Sequence, residues 1–227
     1  MNRILLTFLL AIGLSGPSLK AGSISGIVRA QGKQGADEDT GGGNYSSKAL
    51  KTAERVNYDE MRDFVVYIEG PVPGAKPVRL VEEIHQKDAT FIPHVLPIMV
   101  GTAVEFPNDD NIFHNVFSKS DAARFDLQLY KKGDPPKQVL FNKPGEVDVF
   151  CSIHARMSCI ILVLENPYFA VAKAGGRYTI SNVPPGTYTL VAWQERLPED
   201  RRRITVPPEG DRTEFNFVLG PKNLPKY

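Results

Sequence analysis

The chain has 227 residues, 27 Lys plus Arg against 26 Asp plus Glu, a formal charge of +1, and only four His and two Cys. That length holds one large domain or two small ones, and acids mixed with bases leave no cationic stripe for a phosphate backbone, which excludes a nucleic-acid partner. So few imidazoles and thiols exclude a large multi-metal centre and leave room for one small site.

Met1-Asn2-Arg3, the apolar run Ile4 to Leu14, and the breaker and small residues from Gly16 to Ala21 predict a secretory signal over residues 1–21. Cleavage is expected near Ala21, giving an exported, periplasmic protein. The run is too short to span a bilayer, and no membrane span is expected in the mature chain.

From there on the pattern is β. Ile24, Gly26 and Val28 alternate with polar positions. A glycine-rich approach, Gly41-Gly42-Gly43, reads as a flexible insertion, and Ser46 to Met61 is long enough for a turn or two of helix. Phe64 to Ile68 is a short β-branched and aromatic run closed by Gly70-Pro71-Val72-Pro73-Gly74. Val147, Val149 and Cys151 share a strand face opposite Glu146 and Asp148; Tyr188, Leu190 and Ala192 alternate, as do Phe215, Phe217 and Leu219. Short strands divided by Pro144-Gly145 and Pro185-Gly186 predict an all-β chain with sandwich packing. Arg201-Arg202-Arg203 reads as a solvated turn.

The chemistry is concentrated in two stretches, Phe106 to Phe117 and Phe150 to Met157. Cys151, His154 and Met157 follow one another at intervals of three residues, which an extended strand would scatter, so this segment is expected to curl into a tight loop with all three aimed inward. His114, on the same side of its strand as Val116, supplies the fourth group. Two imidazoles, a thiolate and a weak axial thioether form the set that favours copper cycling between Cu(I) and Cu(II); structural zinc prefers more thiolates and rarely takes Met.

This spacing, downstream of a strand carrying His114-Asn115-Val116, resembles the type 1 (blue) copper proteins, the cupredoxins, with a short amicyanin-like ligand loop. The resemblance covers about residues 78 to 165, where Phe91-Ile92-Pro93 and Val100 to Asn108 look like the strands leading to the first His. It implies a Greek-key β-barrel and one type 1 copper ion on His114, Cys151, His154 and Met157. It also implies that Asn115 ties the two ligand loops together by hydrogen bonding near Ser152, and that His154 reaches the surface and passes the electron. A redox protein such as a c-type cytochrome or a dehydrogenase is the implied partner. Cupredoxins usually carry Pro before each ligand His, where this chain has Phe113 and Ile153; the change adds amide donors near the ion and loosens the loops.

Other readings stand beside this one. Cys151 and Cys159 in an exported chain invite a disulfide, which would remove the thiolate, although Cys159 opens the apolar run Ile160 to Leu164 and reads better as a buried thiol. Met157 is also readable as core packing, with the axial position empty or filled by a backbone oxygen. His85 and His94 lie outside the pattern and read as surface or packing residues, with a second metal left open.

The rest of the chain, with Gly175 to Ile180, Val183 to Leu190 and a final strand from Phe215 to Leu219, resembles the latter half of a carboxypeptidase regulatory-like (transthyretin-like, prealbumin-like) β-sandwich. Ser25 to Val28 and Phe64 to Gly70 look like its first half. The expected organisation is therefore a signal (1–21), a first half-sandwich (22–77), an inserted copper domain (78–165) and a second half-sandwich (166–227). The expected function is periplasmic transfer of single electrons, with sequestration or delivery of copper as the alternative. No HExxH pair, serine elbow or set of further imidazoles is present, so no catalytic turnover is expected.

Overall fold

The computed structural model describes residues 20–32, 57–75 and 81–220. The expected signal and the glycine-rich insertion lie outside these residues, as does most of Ser46 to Met61. The described end of that last segment is a single 3-10 turn, Tyr58–Glu60, whose Asn57 cap accepts from the Asp59 amide at 3.2 Å. Among the described residues no helix is long and apolar enough to cross a membrane.

The architecture is all-β. Two strands come first, β1 (Gly22–Ala30) and β2 (Val65–Ile68). Ten follow between residues 81 and 164: β3 (Val81–Glu83), β4 (His85–Lys87), β5 (Thr90–Ile92), β6 (Val95–Met99), β7 (Thr102–Phe106), β8 (Phe117–Lys119), β9 (Arg124–Asp126), β10 (Lys137–Phe141), β11 (Gly145–Phe150) and β12 (Ser158–Leu164). The chain closes with β13 (Phe169–Val171), β14 (Arg177–Val183), β15 (Gly186–Gln194), β16 (Leu197–Val206), β17 (Arg212–Glu214) and β18 (Phe217–Leu219).

Strand pairing sorts these into two sandwiches. In the outer one, β14, β1, β17 and β18 form one sheet, and β13-β2-β15-β16 the other. Between them lie Ile24, Val28, Val66, Ile68, Ile180, Leu190, Ala192 and Phe217. In the inner one, the sheet β6-β12-β11-β8-β9 faces β10-β7-β3, with the β4-β5 hairpin alongside. Its core holds Phe91, Phe106, Val116, Phe141, Val147, Val149, Ile161 and Val163.

Period-two alternation explains how the sandwiches meet. On β12, Cys159, Ile161 and Val163 point into the inner core, while Ile160 and Leu162 point the other way and join Val65, Val95 and Trp193 in a third cluster. On β15, Leu190 and Ala192 face the outer core, and Trp193 faces β12. Both strands are thus buried on both faces, which is why β12 reads as an unbroken apolar run. Asn166 fastens the passage between the two units. It is 1% exposed, and its amide donates to the Ile68 and Gly70 carbonyls at 2.7 and 2.6 Å while its oxygen accepts from the Tyr168 amide at 2.9 Å.

Two local expectations change. Phe215 to Leu219 is not one strand: β17 and β18 run parallel to β1 on either side of a break at Phe215 and Asn216. There the Asn216 side chain accepts the Ile27 amide at 2.7 Å in place of a ladder bond. Gly26 sits opposite; a Cβ on it would fall 1.7 Å from the Phe215 carbonyl oxygen, so only glycine allows this approach. The Arg201-Arg202-Arg203 run lies on β16 rather than in a turn, held there by pairing with Val191, Leu190 and Thr189 on β15. Arg201 also meets Glu69 at 3.0 Å, and Arg202 meets Asp200 at 2.9 Å.

Candidate metal centre

β11 delivers Cys151 to the end of the inner sandwich, and the seven residues from Cys151 to Met157 turn back at once into β12. Two backbone bonds close this loop: the Cys151 amide donates to the Met157 carbonyl at 3.1 Å, and the Met157 amide to the His154 carbonyl at 2.9 Å. His114 comes from the segment between β7 and β8, where its amide and carbonyl exchange hydrogen bonds with Tyr130 at 3.0 and 2.9 Å. It sits on an isolated bridge rather than within a strand. Both segments are irregular backbone seated on a rigid β scaffold, the arrangement that lets side chains converge.

They do converge. One ligand atom each from His114, Cys151 and His154 lie within 4.8 Å of one another. The His114 and His154 Nδ1 atoms are 3.0 Å apart, and Cys151 Sγ is 3.7 Å from His154 Nδ1. The two rings meet edge-on, with centroids 4.7 Å apart and planes inclined at 63°. His114 and Cys151 are buried, and His154 is half-buried at the rim. Met157 is also buried and belongs to the same apolar cluster as Cys151. Among the described residues this is the one group of three or more His, Cys, Asp or Glu side chains so arranged.

The donor set fits a soft ion. Two imidazole nitrogens and a thiol sulfur, with a thioether sulfur on the same loop, suit copper; the oxygen-rich cage that magnesium or calcium takes is not offered by these residues. Cys151 and Cys159 are both free thiols, so the disulfide reading does not apply. Cys159 lies across from Val149 with its side chain in the core, where burial pushes the thiol well up.

Partners around these side chains hold them in place. Asn115, only 4% exposed, accepts from the Ser152 amide at 2.7 Å and donates to Asp126 Oδ1 at 3.1 Å, so it joins the His114 segment to the Cys151 loop. An Asn115→Ala variant leaves the Ser152 amide without this acceptor. The expected cost is about 1–3 kcal/mol in urea unfolding; unchanged stability would show that water replaces the bond fully.

Asp110 was not legible as a site residue. Its Oδ2 meets His114 Nε2 at 2.8 Å, and its carboxylate also accepts the Asp88 and Ala89 amides at 2.8 and 2.9 Å. Burial pulls this carboxyl upward, but the hydrogen bonds from Ala89, His114 and Asp88 outweigh it and hold the group below the ordinary aspartate range. The sequence signal was the four-residue spacing from Asp110 to His114, hidden within a polar Asn-Asp-Asp-Asn run. Behind it, Asn108 donates to the Tyr130 carbonyl at 2.9 Å, and the buried Tyr130 hydroxyl donates to the Phe106 carbonyl while accepting from Gln86, both at 2.6 Å.

The remaining histidines have protein partners on both nitrogens. His85 stands between Asp109 Oδ2 at 2.8 Å and Glu83 Oε2 at 3.0 Å, and the Asp109 hydrogen bond leads in raising its pKa. These carboxylates sit on opposite edges of the ring, which does not gather them around one ion. His94 spans the two sandwiches, from the Ser158 carbonyl at 3.2 Å to Glu195 at 2.8 Å. Burial lowers its pKa, but the Glu195 carboxylate outweighs this and the net shift is upward.

Comparison with known proteins adds the following. Residues 165–214 match the family described as polysaccharide lyase family 4, domain II. No curated protein matches the chain. Among solved structures, a Cu-containing nitrite reductase from Thermus scotoductus is similar at 33% identity over 42% of this chain, with a TM-score of 0.36. The alignment spans about a quarter, 25%, of that enzyme's length. A purple cupredoxin from Nitrosopumilus maritimus is similar at 24% identity over 36% of this chain and 98% of its own, with a TM-score of 0.32. Amicyanin from Paracoccus versutus is similar at 20% identity over 43% of this chain and 96% of its own, with a TM-score of 0.33.

Proposed function

We propose that this chain is a copper-dependent carrier of single electrons in an exported compartment, in which His114, Cys151, His154 and Met157 would hold one ion. The observation that carries this reading is the meeting of two imidazole nitrogens and a thiol within 4.8 Å. When bound, copper supplies reversible one-electron chemistry, which soft sulfur and neutral imidazole together support in both oxidation states.

The protein's part is to hold the donors still and dry. The Asn115 bridge and the backbone bonds of the Cys151–Met157 loop fix their positions, so gain or loss of an electron moves little. His114 and Met157 are sealed from solvent, which leaves the half-buried His154 ring as the exit for the electron. Close to the site residues in sequence, Ile112, Phe113, Phe150 and Ile153 are each 42–51% exposed. Phe113 and Ile153 occupy the places where cupredoxins usually carry proline, and exposed apolar side chains of this kind suit docking of a redox protein such as a c-type cytochrome or dehydrogenase. The surrounding sandwich, read as transthyretin-like, is support for this domain rather than a second centre of chemistry.

Voltammetry of the copper-loaded protein tests the assignment. A reversible one-electron wave is expected. Tightly held Cu(I) with no reversible wave would favour sequestration or delivery of the metal instead.

A further inference from the structure

Asp110 is placed to do more than fill space. Its carboxylate meets three nitrogens: Oδ1 accepts the Asp88 amide at 2.8 Å, and Oδ2 accepts the Ala89 amide at 2.9 Å and lies 2.8 Å from His114 Nε2. Asp88 and Ala89 are the two-residue tip of the β4–β5 hairpin, and both hold left-handed backbone, with φ of 53° and 52°, although neither is glycine. Successive amides in that conformation converge on an anion, and here the anion belongs to the chain itself.

The consequence falls on His114. Backbone amides can only donate, so both carboxylate oxygens already serve as acceptors toward the hairpin tip; the same carboxylate facing Nε2 calls for the ring proton there and leaves Nδ1 with a bare lone pair. Nδ1 is the atom that faces His154 Nδ1 at 3.0 Å within the cluster. We propose that Asp110 is a positioning residue: cradled by the Asp88–Ala89 tip, it fixes the tautomer and orientation of His114 and so prepares Nδ1 to bind the metal. This deepens the copper reading and rests on it for its effect on the metal, but the tautomer is a property of the metal-free chain.

Asparagine at this position cannot satisfy both sides. With its amide nitrogen toward the hairpin tip, donors face donors; with that nitrogen toward His114, it calls for an acceptor at Nε2 and drives the ring proton to Nδ1, where it blocks the metal. The test is the tautomer of His114 in metal-free protein, by ¹⁵N NMR at a pH about two units above the ordinary imidazole range, together with titration of copper(II). The parent is expected to hold the Nε2–H form. Asp110→Asn is expected to populate Nδ1–H and to bind copper(II) about 10–100-fold more weakly.

An Nδ1–H ring in the parent overturns the proposal whether or not any variant folds. So does an Asp110→Asn protein that loses thermal stability but keeps the tautomer or the affinity, since Asp110 would then merely pin the hairpin. If the parent takes up no copper yet shows Nε2–H, and Asp110→Asn shifts it, the electron-carrier reading fails while the positioning of His114 stands.

Discussion

A Cys151→Ser variant should fold, and should bind copper more weakly by well over the ~10–100-fold that loss of an outer partner costs. Cys151 Sγ lies 3.7 Å from His154 Nδ1 and is the one thiol in the cluster. A hydroxyl is a harder donor, bonds at shorter range and is not deprotonated under conditions where a thiol near a metal is, so the soft member of the set is lost outright. The fold bears a smaller burden: a buried hydroxyl replaces a thiol in a site that is 6% exposed, at about 1–3 kcal/mol. Competition with a chelator gives the affinity and circular dichroism the fold. Retained affinity in a folded variant would move the sulfur ligand elsewhere.

The second large effect lies away from the site. Trp193→Ala should destabilise the protein by about 3–5 kcal/mol, the range for truncating a buried aromatic. The side chain is 5% exposed and packs between the sandwiches with Val65, Val95, Ile160 and Leu162, while Tyr67 lies against the same cluster. No backbone rearrangement fills such a gap cheaply, because strands on both sides are fixed by their own ladders. Glu146 is affected too: burial raises its pKa, as does Asp148, and the Trp193 hydrogen bond that opposes them disappears. Copper affinity should stay close to the parent's, because Cys151 and Met157 belong to the inner core, on the other face of β12 from Trp193. Urea unfolding read by circular dichroism, with copper titration alongside, checks both halves; stability within 1 kcal/mol of the parent would mean that the interface is solvated in solution.

The all-β class was legible because burial and strand period coincide at Ile24 and Val28 and again at Val147 and Val149. Less legible was what covers the second face of a strand. Tyr188, Leu190 and Ala192 mark one side of β15, yet Val191 and Trp193 on the other side are buried too, Trp193 against Val95, Ile160 and Leu162 of the inner unit. Periodicity names a face as apolar and cannot name its neighbour. At the site, the three-residue spacing from Cys151 to Met157 is a local feature of one loop. The approach of His114 is a long-range one that spacing alone does not provide. Asp110 is hard to read from sequence because its partners are a hairpin tip more than twenty residues earlier and an imidazole four residues later, within a run of similar polar residues. Gln86 and Tyr130 are hard to read for a related reason: a buried polar pair 44 positions apart leaves no periodic trace.

Stepwise addition of copper(II) to the metal-free protein, followed by absorption and electron paramagnetic resonance, bears most directly on the metal centre. Saturation at one equivalent is expected, with an intense visible sulfur-to-copper band and a narrow parallel hyperfine splitting, both bleached on reduction. Failure to saturate at one equivalent, or a colourless complex with the wide splitting of an ordinary nitrogen and oxygen site, would contradict it.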